Sequence, residues 1–171
     1  MAVWVSGTTG PASRSWQELL GEDERLVGAI GSPAVGLEGF IRTYEQAQAA
    51  FRLVTASRGG SQVAAYTQVA ALIFLVDDPA RSHRWIAATL GRLAAAGRDI
   101  EQVRHTLHLW LAAGENVSAV AKELYMHRNT VNYRVGRAVA LLPDGLDGHR
   151  TEVALALEFV KWVPDVITEV D

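Results

Sequence analysis

Residues 116–142 read NVSAVAKELYMHRNTVNYRVGRAVALL. In the first part, Val117, Val120, Ala121 and Leu124 fall at i, i+3, i+4 and i+7. In the second, Val131, Val135, Ala138, Val139 and Leu142 fall at i, i+4, i+7, i+8 and i+11. Both are apolar stripes of helical period, each seeking a core. A short turn separates them, and Asn116 is placed to cap the first helix with its side-chain oxygen. Small Ala121 lets the two helices cross closely. The pattern predicts a helix-turn-helix, with one bracing helix and a second of about 128–141 presented outward.

The chemistry of the second helix fits that arrangement. Asn129, Asn132, Tyr133 and Gly136 lie opposite its apolar stripe. Arg134 and Arg137 flank that polar side, and Arg128 stands at the helix start. Asn and Arg can pair with base edges, and Arg and Tyr can reach phosphate oxygens. Arg128, Asn129, Asn132 and Tyr133 are the candidate base and near-base contacts; Thr130, Arg134 and Arg137 are candidates for phosphate. Residues 122–137 carry a charge of +3 in a chain whose net charge is −3. A DNA contact would therefore rest on one basic patch of an acidic body. An ordinary helical hairpin with a solvated polar face is the plain alternative.

The segments NVSAVAKEL and HRNTVNYRV resemble the C-terminal helix-turn-helix of the PucR/CdaR family of bacterial transcriptional regulators. The likeness is carried by Asn116, Val117, Ser118, Ala119, Ala121, Leu124, His127, Arg128, Asn129, Thr130, Tyr133 and Arg134. Tyr125 departs from it, standing where the family has Gly. Asn132 departs too, standing where the family usually has Arg, which implies an altered base preference or a weaker phosphate contact. Residues 28–54, GAIGSPAVGLEGFIRTYEQAQAAFRLV, resemble the GGDEF-like central domain of the same regulators. The resemblance implies a C-terminal piece of a larger regulator that binds double-stranded DNA, with any effector ligand held by a domain absent from this chain.

Read from the residues, 25–30 is a strand, and Gly31, Ser32, Pro33 and Gly36 form a turn. Phe40, Tyr44, Ala47, Phe51 and Val54 then make the buried stripe of a long helix. Residues 1–6 read as a strand, 13–20 as a short helix, and 62–66 as a closing strand. Asp78-Pro79 starts a further helix, with Asp78 as cap and Pro79 at the first position. Ile86, Leu90 and Leu93 follow on it, and Gly97 ends it. Asp99 with Gln102 forms a capping box for the next helix, which carries Val103, Leu107, Trp110 and Leu111 and stops at Gly114. The expected fold is mainly α with a small α+β N-terminal part, a partial ferredoxin-like (GGDEF-like) βαβα(β), and a C-terminal helix-turn-helix bundle. The expected domains are 1–68 (partial GGDEF-like), 69–97 (helical connector) and 98–171 (DNA-binding).

Other signatures fail. Gly21, Glu22, Asp23 and Glu24 lack the second Gly and the Phe of a cyclase GGDEF motif, and read as an acidic surface loop. Gly31 and Gly36 have a P-loop's glycine spacing, but Leu37 and Glu38 stand where Lys and Ser/Thr are needed. His105 and His108 share a helix side without a third ligand, whereas zinc needs three or four. With no cysteine there is no thiolate chemistry. No cofactor and no enzymatic activity are expected. A protein-interaction module, or a degenerate nucleotide-binding cyclase-like domain, is the rival functional reading.

The 171 residues are 49% hydrophobic and 20% charged, ordinary for a globular chain. The N-terminus lacks a basic segment before an apolar run, and no stretch reaches the ~20 apolar residues of a membrane span. A cytoplasmic protein is expected. The last helix, residues 151–163, is apolar on two sides: Val153, Ala156, Leu157 and Val160 on one, Leu155, Phe159 and Trp162 on the other. Such a helix is either buried within its own chain or shared with a second copy. Leu155, Phe159 and Trp162 are thus candidate contacts of a homodimer, whose two recognition helices would lie ~34 Å apart.

Overall fold

The computed structural model of the chain describes residues 27–56 and 63–167. They fall into two compact units, divided between Asp77 and Asp78.

In the first unit, strand β1 (Gly28–Ile30) leads into helix α1 (Gly36–Thr55) and returns as strand β2 (Val63–Ala65). The strands pair in parallel, with Gly28 opposite Val63 and Ile30 opposite Ala65. Parallel neighbours need a long crossover, and α1 supplies it. The β1–α1 turn is held by the helix's own polar residues. Thr43 Oγ1 donates to the carbonyl of Ser32 at 2.7 Å, and the Ser32 N–H donates to Gln46 Oε1 at 2.9 Å. A Cβ on Gly31 would lie 2.0 Å from the Thr43 carbonyl oxygen, so only glycine lets the turn approach the helix this closely. The glycines thus serve a strand-to-helix turn.

One expectation changes here. The buried side of α1 is Gly39, Ala50, Leu53 and Val54. Phe40, Tyr44 and Phe51 are 45%, 39% and 44% exposed. The helix carries apolar residues on two sides, and the side with small residues is the one that comes close to the strands. Among the described residues the sheet consists of these two parallel strands. The expected strand at 1–6, the helix at 13–20 and the acidic loop at 21–24 lie outside the described residues. After β2 come two single turns, α2 (Tyr66–Val69) and α3 (Ile73–Val76), with Val69, Leu72 and Ile73 buried.

The second unit is all helical: α4 (Pro79–Leu90), a 3-10 turn (Gly91–Ala94), α5 (Arg98–Ala112), α6 (Val117–Glu123), α7 (Arg128–Leu141), α8 (Arg150–Trp162) and a closing 3-10 turn (Pro164–Ile167). Asp78 caps α4, its Oδ1 accepting from the Arg81 N–H at 2.9 Å. The end of α4 comes earlier than expected, at Gly91 (φ 50°), and Gly97 (φ 125°) precedes α5 instead. The capping box is absent. Helix α5 begins at Arg98, which leaves Asp99 inside the first turn, and Gln102 bonds elsewhere. Arg104 secures the 3-10 turn to α5 by donating to the carbonyls of Leu93 (3.0 Å) and Ala95 (3.3 Å). Among the described residues no helix is long and apolar enough to cross a membrane.

Helix α8 packs on α4, α5 and the closing 3-10 turn. Val153, Ala156, Leu157 and Val160 are buried on one side, Phe159 and Trp162 on the other. Phe159 and Trp162 are therefore core residues of their own chain rather than contacts for a second copy. Leu155 alone of that trio remains partly exposed. The polar tie between α5 and α8 centres on Glu158. Its carboxylate accepts from His108 Nε2, from Trp162 Nε1 at 2.9 Å and from Lys161 Nζ at 3.1 Å. The His108 hydrogen bond, assisted by those of Trp162 and Lys161 and opposed by burial, holds the Glu158 pKa down at about 2.

A carboxyl whose folded pKa lies below its unfolded value stabilises the fold above the unfolded value, and that contribution is lost as pH falls through the folded one. Glu158→Gln should cost on the order of 1–3 kcal/mol at pH 7. The gap to wild type should close between pH 4.5, the ordinary value, and about 2. Urea unfolding across that range measures it; a pH-independent gap would contradict the assignment.

Candidate nucleic-acid interface

Helices α6 and α7 are set by their caps. Asn116 Oδ1 accepts from the N–H groups of Ser118 (3.0 Å) and Ala119 (3.1 Å), satisfying two donors that the helix start leaves unpaired. At α7 the cap is His127, whose Nδ1 accepts from the Asn129 N–H at 3.2 Å. The preceding helix α5 closes on Gly114 (φ 63°) and Glu115 (φ 66°), with the Glu115 N–H donating to the Trp110 carbonyl at 2.8 Å. Glu115 Oε1 then accepts from Arg150 Nε at 2.8 Å, which ties the α5–α6 corner to the start of α8.

One side of α7 is locked inward. Val131, Val135 and Ala138 are buried, with Leu142 just beyond the helix end, and α7 packs on α5 and α6. Val120 and Ala121 of α6 and Val103, Thr106 and Leu107 of α5 are buried in the same unit. The opposite side of α7 is in solvent: Arg128, Asn129, Thr130, Asn132, Tyr133, Gly136 and Arg137 are all exposed, Tyr133 at 67%. Six of the seven candidate DNA-contact residues thus share one outward surface.

Arg134 is the exception. It is only partly exposed, and its Nη2 donates to Gln102 Oε1 at 2.8 Å. The guanidinium is thereby turned toward α5, away from the side its neighbours present. Gln102 is in turn placed on a helix whose backbone bonds Thr106, since Thr106 Oγ1 donates to the Gln102 carbonyl at 2.7 Å. Through this bond Arg134 braces α5 against α7. The sequence offered no sign of this bond, because a separation of 32 positions puts it beyond any local pattern. Among the described residues no group of three or more His, Asp or Glu is arranged to hold a metal ion.

Three helices of this order, with a capped bracing helix, a tight turn and an outward-facing second helix, form a helix-turn-helix domain. Residues 103–159 match the PucR C-terminal helix-turn-helix domain. Residues 103–159 are thus similar to the DNA-binding domain of PucR-type regulators. A curated relative, the purine catabolism regulatory protein of Bacillus subtilis (strain 168), is 37% identical over 70 residues. That match covers 41% of this chain and 13% of the relative.

Replacing Asn116 by Ala should lower stability by about 1 kcal/mol, since two N–H groups lose their acceptor. Thermal unfolding reads the loss; an unchanged midpoint would show that the cap does not hold α6.

Proposed function

We propose that this chain is a sequence-specific DNA-binding transcriptional regulator whose α7 enters the major groove. The observation that carries the reading is the division of α7 into a buried apolar side and an exposed side bearing Arg128, Asn129, Asn132, Tyr133 and Arg137. The match to the PucR domain and the name of the bacterial relative support regulation of transcription as the role. Arg128 and Asn129 sit in the first turn of α7, where a recognition helix meets base edges. Asn132 and Tyr133 continue that surface one turn on. Thr130 and Arg137 are the phosphate contacts of this reading, with Arg134 positioning the helix. Two copies of the chain would read two half-sites, and the protein would act in the cytoplasm, beside bacterial DNA. The role is recognition rather than catalysis.

Duplexes selected by the chain from a random pool should share a motif, palindromic if the active unit is a dimer. Arg128→Ala should then cost on the order of 1–3 kcal/mol and relax the preference at one base pair. Recovery of no common motif would defeat the reading, and a protein partner retained at high salt would favour an interaction module. The salt dependence separates the two arginines of the second and third turns. Arg137→Gln should flatten the slope of log affinity against log salt by about one. Arg134→Gln should leave that slope unchanged while weakening binding, and a flattened slope there would restore Arg134 as a phosphate ligand.

A further inference from the structure

Tyr125, in the turn between α6 and α7, has left-handed backbone, φ 51°. The hydrogen bonds around it are those of a Schellman closure. The Met126 N–H donates to the Ala121 carbonyl at 3.0 Å, and the Tyr125 N–H to the Lys122 carbonyl at 3.4 Å. The residue at this position is usually glycine, because a Cβ in left-handed backbone crowds its own carbonyl. A tyrosine here strains the turn, and packing gives nothing back: the side chain is 96% exposed. Strain held in a structure without a local benefit points to a use of the side chain itself.

The position of the turn says what that use is. A bracing helix crosses the sugar–phosphate strand while the N-terminus of the recognition helix meets the bases. The turn joining them lies beside that strand. Tyr125 stands three residues before Arg128, with Lys122, His127 and Arg128 all exposed around the same corner. Tyrosine hydroxyls donate to phosphate oxygens, and such bonds position a protein without reading sequence. Resting on the reading of α7 as a recognition helix, we propose that Tyr125 is a further DNA-binding residue, its hydroxyl donating to a backbone phosphate at the edge of the groove.

The test uses Tyr125→Gly and Tyr125→Phe in the 171-residue chain, with a duplex selected by wild type and an unselected duplex of equal length. Tyr125→Gly should raise the thermal midpoint by roughly 4–8 °C, because the strain is relieved. It should also weaken both duplexes by a similar factor, on the order of tenfold. Tyr125→Phe keeps the strained backbone, so its midpoint should stay at the wild-type value while affinity falls as for glycine. Wild-type affinity in either variant overturns the proposal. So does a glycine variant that loses stability together with binding, or one weakened on the selected duplex alone. If wild type itself shifts no duplex, the regulator reading fails and takes this proposal with it; wild-type binding with unaffected variants removes Tyr125 only.

Discussion

The packing of α7 by one side only is the constraint on which the rest of the second unit depends. Val131 and Ala138 are fully buried and Val135 nearly so. Three small or β-branched residues at i, i+4 and i+7 give a narrow apolar stripe, much narrower than that of α8, which is buried on two sides. A narrow stripe leaves most of the helix circumference free. It also gives little resistance to rotation about the helix axis, which is where the Gln102–Arg134 hydrogen bond matters: it lies off the stripe and fixes the roll of α7 against α5. Helix α8, sealed into the core and tied to α5 through Glu158, makes α5 a firm support for that bond.

Two residues that break local rules lie at the presented side. Gly136 lies in the middle of α7, exposed, with nothing within 4 Å of where a Cβ would stand. Glycine within a helix is destabilising by roughly 0.5–1 kcal/mol relative to alanine, and no packing contact here requires it. A bare backbone at that point lets a large surface come closer than any side chain would. Tyr125 breaks the opposite rule, a side chain where glycine is preferred. Departures from local preference tend to mark functional surfaces. Both departures lie on or beside the outward side of the same helix pair.

How far the sequence could be read follows the range of the interactions. The bounds of α6 and α7 were legible because caps and apolar period agree within a few residues, as Asn116 and the Val131–Val135–Ala138 stripe illustrate. Arg134 was read as outward because its position on the helix allows either direction, and only a partner on α5 decides between them. The capping box at Asp99 is absent because the helix is capped two residues earlier, at Gly97, and Gln102 is engaged by that distant arginine. In α1 the aromatic side looked like core, yet close approach to a sheet favours the side with Gly39 and Ala50. Size signals hydrophobicity in a sequence; proximity is what a βαβ unit needs. For α8 the two-sided pattern was equally consistent with self-burial and with a shared surface, and the α4 and α5 packing resolves it for Phe159 and Trp162.

The inward turn of Arg134 also bears on how many copies act together. Within residues 122–137 it leaves Lys122, Arg128 and Arg137 as the cations facing solvent, on a chain of net charge −3. Each neutralised phosphate contributes a slope of about −0.9 to the dependence of log affinity on log salt. Three such contacts supply only a shallow counterion-release term, small beside the ten or so of a strong DNA binder. On the reading proposed above, the salt-dependent share of one copy's affinity would be small. A second copy doubles the phosphate contacts and makes the second docking event effectively intramolecular. On the reading proposed above, specificity would come from base edges on α7, and affinity from pairing two such surfaces.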